Sequence, residues 1–489
     1  MPAPSSGPGL RALVLIAAVL VLTGAALRLR GAHNDLWLDE IWSLNLAHSI
    51  SSPLGVFTAI HQDNNHYLNT LYLYLLPDRG NWRGYRWLSI GLGIGTVMVA
   101  GLVGNRRGRI NALILMFLSA FSYFLILYSS EARGYSAAVF FVLLSFLLLD
   151  LYLERPSRRL AALFSLSAAL GLLSHLTFLH FYLAAVVWSV YRLVVRRPSA
   201  KQLTASLLSL HAFPGLVAAS LYLVDVRFQT AGGGRTDFSV IGTFGDAVAW
   251  ACGATGENTI ALVASLAILA ALCAGGYALR KSRSRGASSW LVPVGGAIVI
   301  PFLFIVVYQP GFLYVRYFMV SMIFLLVLIS LCLAALFEQG AAGRAACVAL
   351  LACYGAVNAT QIAKLFAYGR GQYSAAVRYM LDNGHGTTIS VAGDHPFRIP
   401  MTLSLFMPPA GAAKQLKYYS DPRELPPEGP EWVILHKESF EAATSPDQIR
   451  DAAGRRYSLA KVFPSAPLSG LHWFLYHSAA GLGPIKTGQ

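Results

Sequence analysis

Two adjacent acids near the N-terminus are the first residues whose types could do chemistry. Asp39 and Glu40 lie in the stretch HNDLWLDEIWSLNLAHSI (33–50), between Trp37 and Trp42. Carboxylates in apolar and aromatic surroundings take up protons more readily than carboxylates in water, which suits a general base. The alternative interpretation is an exposed loop that carries ordinary surface acids.

The residues around this acid pair have helical spacing. Leu36, Trp37, Ile41 and Leu44 fall on one face and predict an interfacial helix whose apolar side lies at the membrane surface. Such a helix would hold the two carboxylates at the depth of a lipid headgroup.

A second stretch with chemical potential is DNNHYLNTLY (63–72), which contains Asn65 and His66 ahead of another amphipathic or re-entrant run. A histidine here can bind phosphate, ligate a metal ion or shuttle protons. The alternative is an interfacial histidine that only forms hydrogen bonds. The nearby acid pair favours a functional interpretation.

A third stretch, YSSEARGYS (128–136), contains Glu131, Arg133 and Tyr135. Charged residues at the end of a membrane helix are costly unless they face a cavity or pair with each other. Arg133 is a natural phosphate ligand because its planar fork matches phosphate oxygens. The alternative is a surface pair of Glu131 with Arg133.

A fourth stretch, QPGFLYVRYFMV (309–320), places Arg316 between Tyr314 and Tyr317 at the start of a long apolar run. Arg316 is a candidate second cation for a lipid phosphate. The alternative is an arginine that extends to the interface, with the tyrosines in the aromatic belt. Arg86, His175 and His180 are further candidates, for which an interfacial or core position is the alternative.

The amino-acid composition indicates the class of protein to which these residues belong. Of 489 residues, 55% are apolar and only 12% are charged, and the mean hydropathy is +0.54. Soluble globular chains carry about 25% charged residues. The chain is therefore predicted to be a polytopic membrane protein, and a soluble enzyme, a disordered scaffold and a disulfide-stapled secreted domain are excluded.

Apolar runs of about twenty residues predict spanning helices, and the chain contains about eleven of them. They lie at 10–27, 87–104, 110–128, 135–153, 160–177, 178–195, 203–224, 259–279, 290–308, 313–337 and 345–362. The predicted fold class is an all-α polytopic membrane protein with a soluble α/β domain at its C-terminus.

The distribution of Lys and Arg among the short loops predicts the orientation of the chain in the membrane. With the N-terminus in the cytoplasm, the cytoplasmic loops contain the basic clusters at 106–109, 155–159, 192–201 and 280–285 and also Arg344. Most acids fall in the opposite loops. The net charge of +15 thus comes mainly from the basic residues of the predicted cytoplasmic loops. Nucleic acid is therefore not expected as a partner.

The domain organisation follows from the same pattern. Residues 1–363 are predicted to form a membrane module with two long external loops, at 28–86 and 225–258. The second contains AGGGR (231–235), which could form a mobile lid or a merely flexible loop. Residues 364–489 are predicted to form an extracytoplasmic α/β domain. Its strand-like runs include TTISV (387–391) and EWVILH (431–436).

No Walker motif, no GxGxxG after a strand and no HExxH occurs in the sequence. The chain therefore shows no nucleotide site of those kinds and no zinc-protease motif.

Together, these motifs resemble the GT-C class of integral-membrane glycosyltransferases. The matching features are the external Asp-Glu pair, the DNNHYL segment (63–68), EARGY (131–135) and the Arg-Tyr pair at 316–317. The likeness covers about residues 10–362. It is greatest to the branch of protein O-mannosyltransferases and the bacterial lipid A aminoarabinose transferase. Those relatives often have His-Pro-Pro-Leu-Tyr where this chain has NHYLN (65–69), which indicates a separate subgroup.

The resemblance implies an inverting hexosyl- or pentosyltransferase in the bacterial inner membrane. Its donor would be a polyprenyl-phosphate sugar, and its acceptor a hydroxyl of an envelope glycan, lipid or protein on the extracytoplasmic side. Asp39 would act as the base with support from Glu40. The predicted donor-binding residues are Arg133, Arg316, His66, Tyr135, Tyr317 and Asn65. The resemblance specifies no cofactor, and a divalent metal ion held by Asp39, Glu40 or His66 is left open.

Two other functions use the same residue types. A transporter or flippase for a lipid-linked sugar would need phosphate-binding arginines too, but also charged residues at the bilayer midplane. The ionisable residues instead concentrate near the predicted outer ends of the helices, which favours an enzyme. An oligosaccharide ligase with a diphosphate lipid donor would use the same types of residue at its active site.

Overall fold

The computed structural model describes residues 8–77, 82–230, 232, 238–253, 290–439 and 443–478. These residues form two compact units. The first contains the described residues of Met1–Ala32 and Leu46–Thr360, and the second those of His33–Asn45 and Gln361–Gln489.

The described residues are mainly helical. The helices are α1 (Pro8–Gly31), α2 (Leu38–Ser49), α3 (Gly55–Thr58), α4 (Tyr67–Leu75), α5 (Trp82–Tyr85), α6 (Trp87–Asn105), α7 (Arg109–Phe121), α8 (Tyr123–Ser129), α9 (Tyr135–Glu154), α10 (Arg158–Ser174), α11 (Phe178–Val195), α12 (Ala200–Val224), α13 (Val240–Ala251), α14 (Leu291–Tyr308), α15 (Met319–Phe337), α16 (Ala341–Tyr368), α17 (Tyr373–Asn383) and α18 (Arg398–Phe406). Short 3₁₀ turns cover Val226–Phe228, Val315–Phe318 and Pro422–Glu424.

Seven described helices are long and apolar enough to cross a membrane, and the number is eight if α7 and α8 count as one broken span. These two helices are bent by 60° at Ser122. Ten of the eleven predicted runs coincide with helices, and the run at 259–279 lies outside the described residues. The multi-pass helical architecture is confirmed, and the number eleven stays a prediction.

Helix α9 lies at the centre of the first unit. It is apolar around its whole circumference and most of it is buried, as expected for a helix surrounded by others. It packs against α6, α10 and α11. Near its C-terminal end, Asp150 accepts hydrogen bonds from Arg106 at 2.9 Å and from the Trp290 indole at 3.0 Å. This polar cluster joins the ends of three helices in a region where an unpaired charge would be costly.

The second unit contains a mixed six-stranded sheet. Its strands are β1 (Thr388–Gly393), β2 (Gln415–Tyr418), β3 (Trp432–Glu438), β4 (Gln448–Arg450), β5 (Arg456–Phe463) and β6 (Leu471–Ser478). The strand order is β2-β1-β3-β6-β5-β4. Strand β1 is parallel to β2 and β3, and the remaining pairs are antiparallel. The strands predicted at 387–391 and 431–436 are therefore present as β1 and β3.

The segment His33–Asn45 belongs to this second unit, which the sequence did not predict. Asp35 accepts hydrogen bonds from the backbone N–H and the hydroxyl of Ser374, at 2.8 and 3.0 Å. Trp37 and Leu38 are part of the same hydrophobic core as strands β1, β3 and β6. The start of α2 is therefore held in place by the α/β fold.

This packing corrects the expected environment of α2. The predicted helix forms, but Leu36, Trp37, Ile41 and Leu44 are all buried. The apolar face was expected to lie on the membrane surface. Burial of Trp37 in a protein core removes as much apolar surface from water as insertion into lipid would, so the sequence pattern could not distinguish the two.

Candidate active site

The loop that precedes α4 is fixed to the segment that follows α12. Gln62 and Thr230 form a parallel bridge, and the Thr230 N–H donates to the His61 carbonyl at 2.9 Å. The N–H of Gly232 donates to a carboxylate oxygen of Asp63 at 3.1 Å. Of the predicted Gly-rich lid, Gly233, Gly234 and Arg235 lie outside the described residues.

A buried carboxylate completes this attachment. Asp225, at the C-terminal end of α12, is fully buried. Its Oδ1 lies 2.7 Å from Nδ1 of His61. Its Oδ2 accepts from the hydroxyl of Tyr67 at 2.6 Å and from the amide of Gln229 at 2.9 Å. Since Tyr67 directly follows His66, these bonds fix the position of His66.

His66 is buried at the N-terminus of α4. Its Nδ1 accepts a hydrogen bond from the Gly134 N–H at 2.9 Å. A neutral imidazole that accepts at Nδ1 carries its proton on Nε2. That Nε2 lies 3.0 Å from Nη2 of Arg133, which is also a donor. In this tautomer two N–H groups from different segments face each other without a hydrogen bond between them, and an anionic oxygen that entered between them could accept from both.

The charge state of His66 agrees with this geometry. Burial is the main cause that lowers its pKa well below 6.5, and His175, Arg133 and Arg316 lower it further. At neutral pH the His66 ring is uncharged, and the positive charge around it comes from the two guanidinium groups. An anion bound there would be attracted by both guanidinium groups.

Arg133 is held in place by contacts with several neighbouring residues. Its Nη2 donates to Oδ1 of Asn64 at 2.7 Å, and its guanidinium lies over the ring of Tyr135, 5.1 Å from the ring centre. The Ser89 hydroxyl donates to the Arg133 carbonyl at 3.0 Å. These contacts orient the planar guanidinium group of Arg133.

Aromatic rings surround this cation. The ring of Tyr135 lies 5.2 Å from that of His66, 4.4 Å from that of His175 and 5.1 Å from that of Tyr128. The rings of His66 and His175 are 4.5 Å apart. We call His66, Arg133, Tyr135 and His175 the His66–Arg133 cluster.

A second cation contributes to the same electrostatic environment. Arg316 lies in the 3₁₀ turn Val315–Phe318, with its guanidinium 4.3 Å from the ring centre of Tyr314. The hydroxyl of Tyr317 interacts electrostatically with Arg316, Tyr135 and Asp63. The structure therefore brings the predicted residues Arg133, Arg316, His66, Tyr135 and Tyr317 into one region of the first unit.

Asn65 has a different role from its neighbour. Its amide donates to the carbonyls of Val56 and Ile60, at 2.7 and 3.2 Å, and so shapes the loop. The adjacent Asn64 is the residue that contacts Arg133. Sequence reasoning missed Asn64 and Asp225, although polar residues next to a chemically active histidine and at a helix end were available signals. Arg86 donates to the Ala32 carbonyl at 2.7 Å, which indicates a structural role.

The acid pair occupies the first turn of α2, in the second unit. Both residues are buried, Glu40 almost completely and Asp39 with 9% of its surface exposed. Oε2 of Glu40 accepts from the backbone N–H of Trp37 at 3.3 Å, which satisfies an otherwise unpaired donor at the helix start. Glu40 thus fixes the N-terminus of the helix that carries Asp39.

The metal-ion alternative does not fit His66. Its Nδ1 is occupied by the Gly134 N–H, and its Nε2 faces the guanidinium of Arg133. A metal-ligating histidine needs one nitrogen with a free lone pair directed at a cation. Neither nitrogen of His66 has this arrangement.

Comparison with solved structures finds a protein of similar overall fold. No protein-family model matches the sequence, and no curated protein matches it. The fold is similar to that of ArnT from Cupriavidus metallidurans in the apo state, with a TM-score of 0.53 and 12% sequence identity over 98% of this chain and 100% of that chain. ArnT from the same organism bound to undecaprenyl phosphate gives a TM-score of 0.48 at 13% identity, with the same coverage. ArnT is the lipid A aminoarabinose transferase, so the predicted resemblance to this branch is confirmed for the fold.

Proposed function

We propose that this chain is an inverting glycosyltransferase that transfers a hexosyl or pentosyl group from a polyprenyl-phosphate carrier to an acceptor hydroxyl. The observation that carries the proposal is the pair of adjacent donors on His66 and Arg133, buried in an apolar and aromatic setting. Donors arranged in this way bind a phosphate oxygen strongly, because water does not compete. The ArnT-like fold supports the same class of reaction.

In this proposal the donor phosphate binds in the first unit. Arg133 and the Nε2–H of His66 donate to its oxygens, and Arg316 adds a second positive charge. Tyr135 and Tyr317 border the site, while Asn65 keeps the loop in position. The two guanidinium groups stabilise the charge that develops on the phosphate when its bond to the sugar breaks.

Asp39 takes the proton of the acceptor hydroxyl. The acceptor oxygen forms a bond to the anomeric carbon, and the carbon–oxygen bond to the phosphate breaks. The polyprenyl phosphate leaves with the electron pair, and the proton remains on Asp39 until solvent removes it. Glu40 has the positioning role that its bond to the Trp37 N–H supports. The covalent glycosyl-enzyme of retaining enzymes is not needed.

The membrane arrangement belongs to the same proposal. We place the N-terminus in the cytoplasm and the domain of residues 364–489 on the extracytoplasmic side, with eleven spans in the module of residues 1–363. The basic clusters at 106–109 and 155–159 support this orientation. The acceptor is then an envelope glycan, lipid or protein.

A binding experiment tests the phosphate site. Undecaprenyl phosphate is titrated into the purified chain in detergent, and its dissociation constant is compared between the wild type and Arg133→Gln. Loss of one charged hydrogen bond to phosphate costs about 1.5–3 kcal/mol, which corresponds to binding weaker by about 10- to 100-fold. The matched control is Arg423→Gln, because that side chain is 90% exposed on the second unit.

Equal affinity of wild type and Arg133→Gln would contradict this phosphate site. A separate assay in proteoliposomes distinguishes transfer from transport. A labelled undecaprenyl-phosphate sugar yields a covalent product with an acceptor hydroxyl if the chain is a transferase. Movement of the intact donor across the bilayer with no product would support the flippase alternative instead.

A further inference from the structure

Three metal-ligand side chains meet at one end of the sheet in the second unit. Glu431 immediately precedes β3, His477 lies near the end of β6, and His385 lies in the turn between α17 and β1. Among the described residues, these three form a group whose ligand atoms all lie within 4.8 Å of one another. The set combines two imidazoles and one carboxylate, as in many zinc sites.

One of the two distances to the Glu431 carboxylate already suits a shared cation. Ligand atoms about 2.0–2.2 Å from a tetrahedral zinc ion are about 3.4 Å apart, and Nε2 of His477 lies 3.5 Å from Oε1 of Glu431. Nδ1 of His385 lies 2.8 Å from the same oxygen, which is a hydrogen-bond distance. The exposed His385 side chain would therefore move away by about 0.6 Å to share the ion with Glu431.

Two of the three ligands are held rigidly. The N–H of Glu431 donates to the Ser390 hydroxyl at 2.8 Å, and its carbonyl accepts from the Ser478 N–H at 3.0 Å. His477 is 5% exposed, and its ring packs 4.4 Å from that of Trp432. Ligands carried on paired strands keep their geometry better than ligands on loops.

The hydrogen bonding of His477 is compatible with Nε2 as the ligand atom. Its Nδ1 is buried, and among the described residues it has no hydrogen-bond partner. A neutral ring that uses Nε2 as a ligand carries its proton on Nδ1.

We propose that His385, Glu431 and His477 bind one divalent transition-metal ion, for which Zn²⁺ is the best match. The side chain of His385 is 65% exposed, so the site is open to solvent on one side. A fourth coordination position remains for water or for an anionic oxygen of a bound molecule. This site is independent of the proposed transfer reaction, because all its ligands come from residues 385–477.

Isothermal titration of Zn²⁺ into the full-length, chelator-treated protein tests the proposal. Wild type should bind one equivalent, and Co²⁺ in its place should give the visible absorption bands of a site with nitrogen ligands. His385→Gln and His477→Gln should each weaken Zn²⁺ binding by at least about 100-fold, since even the loss of an outer-shell partner costs about 10- to 100-fold. Mg²⁺ should not compete, because it prefers oxygen ligands.

His395→Gln is the matched control and should bind like wild type, because His395 contacts His436 on the same domain and is outside the three-residue group. Circular dichroism establishes that each variant is folded. If the buried His477→Gln variant does not fold, the exposed His385→Gln variant decides the outcome. Absence of stoichiometric binding by wild type, or wild-type affinity in His385→Gln, would overturn the proposal.

Discussion

At the scale of single residues, Arg133 explains why arginine rather than lysine suits this position. One nitrogen of its fork donates to Asn64 at 2.7 Å while the flat face of the group lies over the ring of Tyr135. A lysine ammonium is a point charge and could not make both contacts in this geometry.

His66 gives a prediction about pH. Its pKa is far below 6.5 in the folded chain, mainly because of burial, whereas an unfolded histidine titrates near 6.5. As the pH falls below 6.5, the unfolded state takes up a proton that folded His66 does not, so stability decreases. The wild type should therefore lose stability between pH 7.5 and pH 5.

His66→Gln removes this titration, so its unfolding midpoint should fall less between these two pH values than that of the wild type. Thermal unfolding in detergent at both pH values measures the difference. His48→Gln serves as the control because His48 is exposed, and it should behave like wild type. An identical pH dependence in His66→Gln and wild type would show that His66 is not kept neutral by folding.

At the scale of elements, the turn between α8 and α9 positions Arg133. The Asn69 amide of α4 donates to the Ala132 carbonyl at 2.9 Å, which joins this turn to the helix that His66 precedes. Gly134 lies against the end of α10. A Cβ atom at Gly134 would be 1.9 Å from the Ser174 carbonyl oxygen and 2.6 Å from Nδ1 of His66.

Gly134→Ala should therefore separate α10 from the turn and move His66. We expect a loss of about 1–3 kcal/mol in the free energy of unfolding, the usual cost of overpacking, and clearly weaker binding of undecaprenyl phosphate. Gly91→Ala is the control, because a Cβ at Gly91 has no atom within 4 Å. Wild-type stability and affinity in Gly134→Ala would show that this close approach is not needed.

The sequence could predict the types of the site residues but not all their contacts. His66, Arg133 and Tyr135 were identified because their chemistry suits phosphate at a membrane surface. Asn64 and Asn65 are adjacent and chemically identical, yet only Asn64 contacts Arg133. Their directions depend on backbone angles just before α4, which composition and periodicity do not determine.

At the scale of the whole chain, the segment that carries Asp39 is distant in sequence from the domain that holds it. Residues 33–45 group with residues 361–489, through Asp35 with Ser374 and through Trp37 in the shared core. Apolar periodicity predicted α2 but not its partner, because a face buried in protein and a face buried in lipid have the same pattern. The α/β domain therefore has a direct role in placing the proposed base.

Trp37→Ala tests this role. Removal of a buried tryptophan side chain costs about 3–5 kcal/mol, and Asp39 lies only two positions along the chain. We expect a lower denaturation midpoint for the full-length protein and a marked decrease in sugar transfer. Trp87→Ala is the control, since Trp87 is 54% exposed and should change stability by less than about 1 kcal/mol. Full transfer by a destabilised Trp37→Ala variant would contradict the proposed coupling.

The most direct measurement of the central claim is the transfer rate of Asp39→Asn in proteoliposomes supplied with undecaprenyl-phosphate hexose or pentose and an acceptor hydroxyl. Asparagine has nearly the same shape but cannot accept the proton, so the rate should fall by about 10²- to 10⁴-fold. The affinity for undecaprenyl phosphate should remain near that of the wild type, because Arg133 and His66 are intact. A folded Asp39→Asn variant that transfers sugar at the wild-type rate would contradict the assignment of Asp39 as the base.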